Sequence, residues 1–332
     1  MRRRSSFFAA LFFICATLSF PAPYPLFKLG AWIALALCAG RYISQGIVFG
    51  LLAFFGLLEA LLGFFQFASH RSLGLGFLGE PVLDPMNGAV ARTFVSGGRL
   101  MRAYGTFPHP NILAAFLVLA LAAWAHLFLA HRRPILFLPG IFIVLLGLIL
   151  TFSRSGWVAA CIAIFLILID ARTRVSARTG ELILVFALSL FVLLPIFSWG
   201  VFPRLSVGAR DYAITERVSG YKAALLRIGT HPAFGGGLTL RMAPDPAHSL
   251  YLTVLDEIGI VGLIAFLLFV FYALLRGIYA KLAGLRTFAA MLVALLAMGV
   301  IDHFLWTLRP GIAMLFLVIG MLAFSCDIPS HS

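Results

Sequence analysis

The residues best suited to chemistry are one histidine and a set of arginines, placed in polar connections between apolar runs. His248-Ser249 is followed, after nine intervening residues, by Gly259-Ile260-Val261-Gly262, so the histidine stands where a polar loop meets an apolar helix. An imidazole titrating near neutrality takes a proton from a hydroxyl, which makes His248 the candidate general base. Pro244 and Pro246 stiffen the approach to it, and the helix beyond carries Asp256 and Glu257. By itself a histidine at such a boundary is more often interfacial than catalytic. Gly259 and Gly262 are expected to allow close helix packing there.

The arginines point to an anion. Arg99-Leu-Met-Arg102-Ala-Tyr-Gly105-Thr-Phe-Pro108-His-Pro110-Asn111 ends a long polar stretch, and Pro110-Asn111 reads as the start of a helix near Ile112. Arg102 therefore lies close to the membrane surface, where a planar, permanently charged fork of donors suits phosphate oxygens. Thr151-Phe-Ser-Arg154-Ser-Gly156-Trp157 forms a tight turn between two apolar helices. Arg154 there either faces a polar cavity or snorkels to headgroups, since a charge in hydrocarbon is costly. Thr215 to Ile228 reads as an amphipathic interfacial helix, with apolar Val218, Tyr221, Leu225 and Ile228 at helical spacing. Arg217 and Tyr221, four apart, share an edge and can address one ligand. His231-Pro232 stops that helix, and Gly235-Gly236-Gly237 provides a turn able to bring backbone near a substrate.

The elements that position these residues are membrane helices. Of 332 residues 62% are hydrophobic and 11% charged, with several apolar runs near the roughly 20 residues that span a bilayer. The fold class expected is all-α, a polytopic integral membrane protein forming a single membrane domain over 1–332. Spans are expected at about 7–22, 26–40, 43–67, 110–130, 134–152, 156–169, 181–200, 250–275, 287–303 and 310–325, about ten helices. Two longer loops, about 68–109 and 201–249, carry the polar chemistry. Cys15, Cys38, Cys161 and Cys326 fall in apolar stretches without ligand spacing, implying neither disulfides nor zinc.

The net charge of +13 is scattered among apolar spans rather than gathered on one soluble face, which favours anionic lipid or a phosphorylated substrate over nucleic acid. Arg2 to Arg4, Arg41, Arg132, Arg133, Arg172, Arg174, Arg178, Arg276, Lys281 and Arg286 fall on one side, which should be cytoplasmic. Their density in short loops, not their number, supports this orientation, and alternation then puts both long loops, Arg154 and Arg309 on the outer face. The outward arginines either serve a polyanionic ligand or contact headgroups and pair with Glu80, Asp84, Asp211, Glu216 and Asp245. The N-terminal Arg2-Arg3-Arg4 and the apolar run to Phe20 are expected to be an uncleaved anchor, because Pro21 and Pro23 crowd a cleavage site.

In this order the motifs resemble the O-antigen ligase and polymerase superfamily of bacterial envelope glycosyltransferases. They are Arg102-x-x-Gly105-Thr-Phe with Pro110-Asn111, then Thr151-Phe-Ser-Arg154-Ser-Gly156, then Arg217 ahead of His231-Pro232-x-x-Gly235-x-Gly237, then His248-Ser249 and Gly259-x-x-Gly262. The resemblance runs from about Arg99 to Leu268. It implies a GT-C-type inverting transferase on the outer, periplasmic face of the inner membrane, with an undecaprenyl-diphosphate-linked glycan as donor. His248 would be the catalytic base, Arg102 and Arg217 the diphosphate clamp, and Arg154, Arg210 and Lys222 its support; Tyr221 and Tyr251 are candidate substrate contacts. The acceptor would be a growing glycan, lipid A core or a protein hydroxyl, and ligase and polymerase share these residues.

Neither metal nor cofactor is expected: the chain has 12 acidic residues and no Asp-x-Asp pair in either outer loop to hold a divalent cation against a diphosphate. The chain supplies fewer spans than the family pattern implies, the missing ones falling on the N-terminal side. A transporter or flippase for an anionic polyprenyl-linked lipid is the alternative. Against it, Glu59 is the clear acidic residue within a span, no internal repeat is visible, and Glu59 is expected to hydrogen-bond within the bundle. Asp302 and His303, near an outer helix end, read as a local pair or as an extra wall of the site.

Overall fold

The computed structural model describes residues 25–84, 90–95, 98–172, 180, 212–237 and 247–325. The spans expected at 7–22 and 181–200, and Arg210, lie outside these residues. The other expected spans coincide with helices: α1 (Pro25–Tyr42), α2 (Gln45–Ser69), α3 (Pro110–Ala130), α4 (Leu138–Leu150, preceded by a 3-10 turn at Pro134–Phe137), α5 (Arg154–Arg172), α7 (Leu250–Ile278), α8 (Ala283–Gly299) and α10 (Arg309–Phe324). The amphipathic segment forms α6 (Tyr212–Thr230), and a one-turn helix, α9 (Phe304–Thr307), precedes α10. One departure from an all-helical chain lies in the first long loop, where β1 (Arg92–Val95) and β2 (Gly98–Met101) pair antiparallel with Arg92 opposite Met101.

By length and composition α2, α3 and α7 suffice to cross a membrane; α4 with its leading turn, α8 and α10 are shorter apolar helices. Phe54 and Phe65 on α2, and Leu268 and Phe271 on α7, are exposed. Large apolar side chains on the outside of a helix bundle are the surface that lipid covers, so the chain is a multi-pass membrane protein.

The chain forms two compact units, one of Val48–Asp211 and one of Met1–Ile47 with Tyr212–Ser332. In the first, α3 is central, with residues from Ile112 through Ala125 almost entirely buried. Pro110 at its first turn costs no hydrogen bond, and His109 caps it by accepting the Asn111 N–H on Nδ1 at 3.1 Å. Small residues let its neighbours approach: a methyl added at Gly56 would overlap Ala120, and one at Gly156 would press on Ala114. Such contacts replace the hydrophobic drive that lipid does not provide. The second unit uses the same device where α1 meets α10, since a methyl at Gly40 would overlap the Gly320 carbonyl.

Candidate functional site

In the second unit the site is built around the start of α7. Ser249 is the N-cap, in extended conformation, and His248 precedes it, half-buried. Three contacts hold this backbone. The Leu250 N–H donates to the Asp302 carbonyl (3.1 Å), the Tyr221 hydroxyl to the His248 carbonyl (3.0 Å), and the Thr253 hydroxyl to the Ala247 carbonyl (3.0 Å). The first of these brings Asp302-His303 beside the histidine, and the His248 and His303 rings lie 5.3 Å apart at 50°. His303 Nδ1 lies 2.6 Å from Thr307 Oγ1, and that hydroxyl is also within hydrogen-bond reach of the His303 carbonyl (3.1 Å). Burial holds the His303 imidazole below its ordinary value; Asp302 opposes this and His248 adds to it. Asp302 Oδ1 accepts the His303 N–H at 2.8 Å.

The helix beyond is not continuous. Gly259 has φ 70° and ψ −175°, a conformation open essentially to glycine alone, and it kinks α7. A break leaves carbonyls before it and N–H groups after it without helical partners. The loop after α6 supplies them: Gly236 and Gly237 N–H donate to the Asp256 and Glu257 carbonyls (2.9 and 3.0 Å), and Ile260 and Val261 N–H donate to the Pro232 and Ala233 carbonyls (2.9 and 3.2 Å). Gly235 (φ 72°) and Gly259 each pass so close to the opposite backbone that a methyl on either would collide with it. The glycines thus splice loop to helix. Gly259 makes a kink rather than a helix-packing face, and the space beside Gly262 is filled by Ile258 of its own helix. The turn at Gly235 to Gly237 has its backbone against α7.

The acidic residues of α7 brace the same region. Arg227 donates from Nε to Asp256 Oδ2 at 2.8 Å, and Trp306 Nε1 to Glu257 Oε2 at 2.8 Å. Sequence reasoning did not single out Arg227 or Trp306. An arginine on α6 facing two consecutive acids after a histidine is the signal that could have found the first. Arg217, half-buried, and Lys222, exposed, lie on α6 with Tyr221, and among the described residues neither is ion-paired. The Tyr251 hydroxyl donates to the Leu296 carbonyl (3.0 Å), fastening α7 to α8.

The first unit holds the other two described arginine candidates. Arg102 is 7% exposed, and its Nε donates to the Thr151 carbonyl (2.6 Å) while a terminal nitrogen donates to Asn111 Oδ1 (2.8 Å). It thereby joins the end of the first long loop to the turn that leads into α5, where half-buried Arg154 is the first helical residue. Phe152 in that turn adopts φ 49°. The loop is held from α2. Gln66 accepts the Gly105 N–H (2.8 Å) and donates to the Gly105 carbonyl and to Glu80 (both 2.9 Å). Glu59 accepts both the N–H (2.8 Å) and the hydroxyl (2.5 Å) of Thr106, which bears out its expected place in a hydrogen-bonded bundle. Glu80, considered above as an arginine's partner, instead accepts Gln66 and the N–H groups of Leu73 (2.7 Å) and Leu75 (2.6 Å). Burial works against its charge, and these hydrogen bonds outweigh it, holding the carboxyl below the ordinary range.

An apolar groove of about 570 Å³ in this unit runs between α3, α4 and α5, lined by Leu121, Leu145, Trp157, Cys161 and Phe165. Of the sequence candidates, then, Tyr221 touches His248, Arg217 and Lys222 share its helix, and Arg102 and Arg154 meet at one turn.

Residues 139–267 match the O-antigen ligase family model. No curated protein matches the chain. A chain from a solved structure described as "Structural coordination of polymerization and crosslinking by a peptidoglycan synthase complex" aligns over 94% of this chain and 96% of its own, at 20% identity and a TM-score of 0.34. The family match contains Arg154, Arg217, Tyr221, Lys222, His248 and Tyr251, and over residues 139–267 it bears out the resemblance carried by the motifs.

Proposed function

We propose that the protein is an inverting, metal-independent glycosyltransferase of GT-C type, with about ten spans. It moves a glycan from undecaprenyl diphosphate to an acceptor hydroxyl on the periplasmic face of the inner membrane. The observation that carries this reading is the O-antigen ligase match over 139–267, a segment that includes the fastened His248 and the cationic edge of α6. His248 takes the proton of the acceptor hydroxyl as its oxygen attacks the anomeric carbon. The bond from that carbon to the diphosphate oxygen breaks, and undecaprenyl diphosphate departs with the electron pair. Arg217 and Lys222 neutralise the leaving charge, and Arg102, Arg154 and Arg210 keep the diphosphate-binding role that their motifs imply. Tyr221 and Tyr251 contact substrate through the oxygen lone pairs their donated bonds leave over. The acceptor is a glycan or lipid A core.

The test is transfer from a defined undecaprenyl-diphosphate glycan in nanodiscs with EDTA present. His248→Ala should lower the rate by about 10²–10⁴-fold, and Arg217→Ala by about 10²–10³-fold. Near-normal transfer by His248→Ala refutes the base assignment. Extended glycan identifies a polymerase and transfer only to added lipid A core a ligase. Movement of the lipid across the bilayer without release of undecaprenyl diphosphate replaces the transferase by a flippase.

A further inference from the structure

His303 and Asp302 have no part in the reaction just described, yet the Leu250–Asp302 backbone bond sets them against the proposed base. One ligand atom from each of His248, Asp302 and His303 can be chosen so that all lie within 4.8 Å of one another, and all three side chains are half-buried, open enough for an ion to reach. Tetrahedral zinc, with nitrogen and oxygen ligands at about 2.0–2.2 Å, keeps its ligands about 3.3 Å apart, so modest ring rotations close the gap. When the Thr307 hydroxyl gives its proton to the His303 carbonyl, its oxygen accepts from Nδ1–H and leaves the Nε2 lone pair for an ion. Such an outer hydrogen bond fixes the tautomer of a metal-ligating histidine. Asp302 Oδ1 is held by main-chain N–H groups, and a carboxylate has lone-pair positions beyond those two bonds.

We propose that His248, Asp302 and His303 form a binding site for a divalent transition ion of the zinc type, and that the ion acts as a brake on the enzyme. Two imidazoles and one carboxylate are the donor set of three-ligand zinc sites that keep a fourth position open. Magnesium and calcium, which take oxygen ligands, do not suit it. An ion on His248 occupies the lone pair that would accept the acceptor proton, so the loaded protein cannot act as a base. That consequence rests on the transferase reading; the binding itself does not.

The test uses the full chain, purified in detergent and freed of EDTA. Titration with Co²⁺ should give a saturable visible absorption band at one equivalent, displaced by Zn²⁺ and not by excess Mg²⁺. His303→Gln and Asp302→Asn should each weaken it at least tenfold. As a readout free of substitutions, saturating Zn²⁺ should raise the unfolding midpoint of the wild type. No saturable band, no rise in midpoint, or a band that persists in His303→Gln overturns the site. In the transfer assay Zn²⁺ should suppress the wild type reversibly, with EDTA restoring it. A protein that binds Co²⁺ as described but transfers equally well with saturating Zn²⁺ overturns the brake alone. A protein that binds it and transfers under no condition leaves the site standing and removes the transferase reading.

Discussion

The loop that ends at Arg102 and the loop that ends at His248 are fastened by opposite means. The first is held by side chains: Gln66, Glu59 and Glu80 receive its backbone, and Arg102 spans from it to Thr151. The second is held mainly by backbone, since the bonds missing from the kinked α7 are completed by Pro232, Ala233, Gly236 and Gly237, with the Tyr221 and Thr253 hydroxyls adding to it at the His248 and Ala247 carbonyls. Side-chain fastening yields to substitution one bond at a time. Backbone fastening is indifferent to most side chains and fails where a Cβ cannot be admitted.

The largest effect should come from that intolerance. Gly259→Ala forces a Cβ against the Ala233 and Phe234 backbone in a conformation closed to alanine. A loss of about 3 kcal/mol or more is expected in thermal unfolding, combining strain with displaced backbone. Gly262→Ala, where only the Ile258 side chain is in the way, should cost much less, and equal losses would break the contrast.

Next is Gln66→Leu. It leaves Gly105 N–H and Glu80 without their amide partner, at about 1–3 kcal/mol for each buried group so stranded. Faster proteolysis of the 72–84 segment, with the His248 region unaltered, is the expected signature.

The Glu80 carboxyl adds a pH dependence with a defined sign. Its folded value is lowered, so its contribution is complete above the ordinary value of 4.5 and is lost as pH falls through the lower folded value. The protection of the Leu73 and Leu75 amides against exchange, relative to their intrinsic rates, should therefore fall in acid, and Glu80→Gln should flatten that response.

The smallest effect belongs to Tyr221→Phe, which removes one hydroxyl from a backbone-fastened loop. About 0.5–1.5 kcal/mol is expected in unfolding, with Co²⁺ binding retained. Loss of binding in this variant would show that the Tyr221 hydroxyl, more than the backbone splice, holds His248 in place.

The helices were legible from hydropathy because apolar length is a strong signal, and the expected spans at 110–130 and 250–275 match α3 and α7 almost residue for residue. The histidine was legible because it stands at a polar-to-apolar boundary. His303 was legible only as a local pair with Asp302 or an extra wall of the site; its approach to His248 was not, since it depends on a main-chain bond from Leu250 to Asp302 that no side-chain pattern records. Gln66 hid in an apolar run, where one amide scarcely alters mean hydropathy. Arg102 was read as lying close to the membrane surface from its place near a helix start; the structure buries it because Thr151 and Asn111 converge on it. Gly235 to Gly237 were read as a turn toward substrate and Gly259 as a helix-packing position, whereas Gly235 and Gly259 let the loop and the kinked helix meet backbone to backbone.

The splice at Gly259 turns α6 and the first part of α7 into a ruler. Tyr221 and Arg227 reach across it to the His248 carbonyl and Asp256, so the interval between residue 217 and residue 248 is graduated by main chain and two crossbars. Side chains at 217, 218 and 222 can then be exchanged as a set, altering which anion is gripped while the span to the histidine keeps its length.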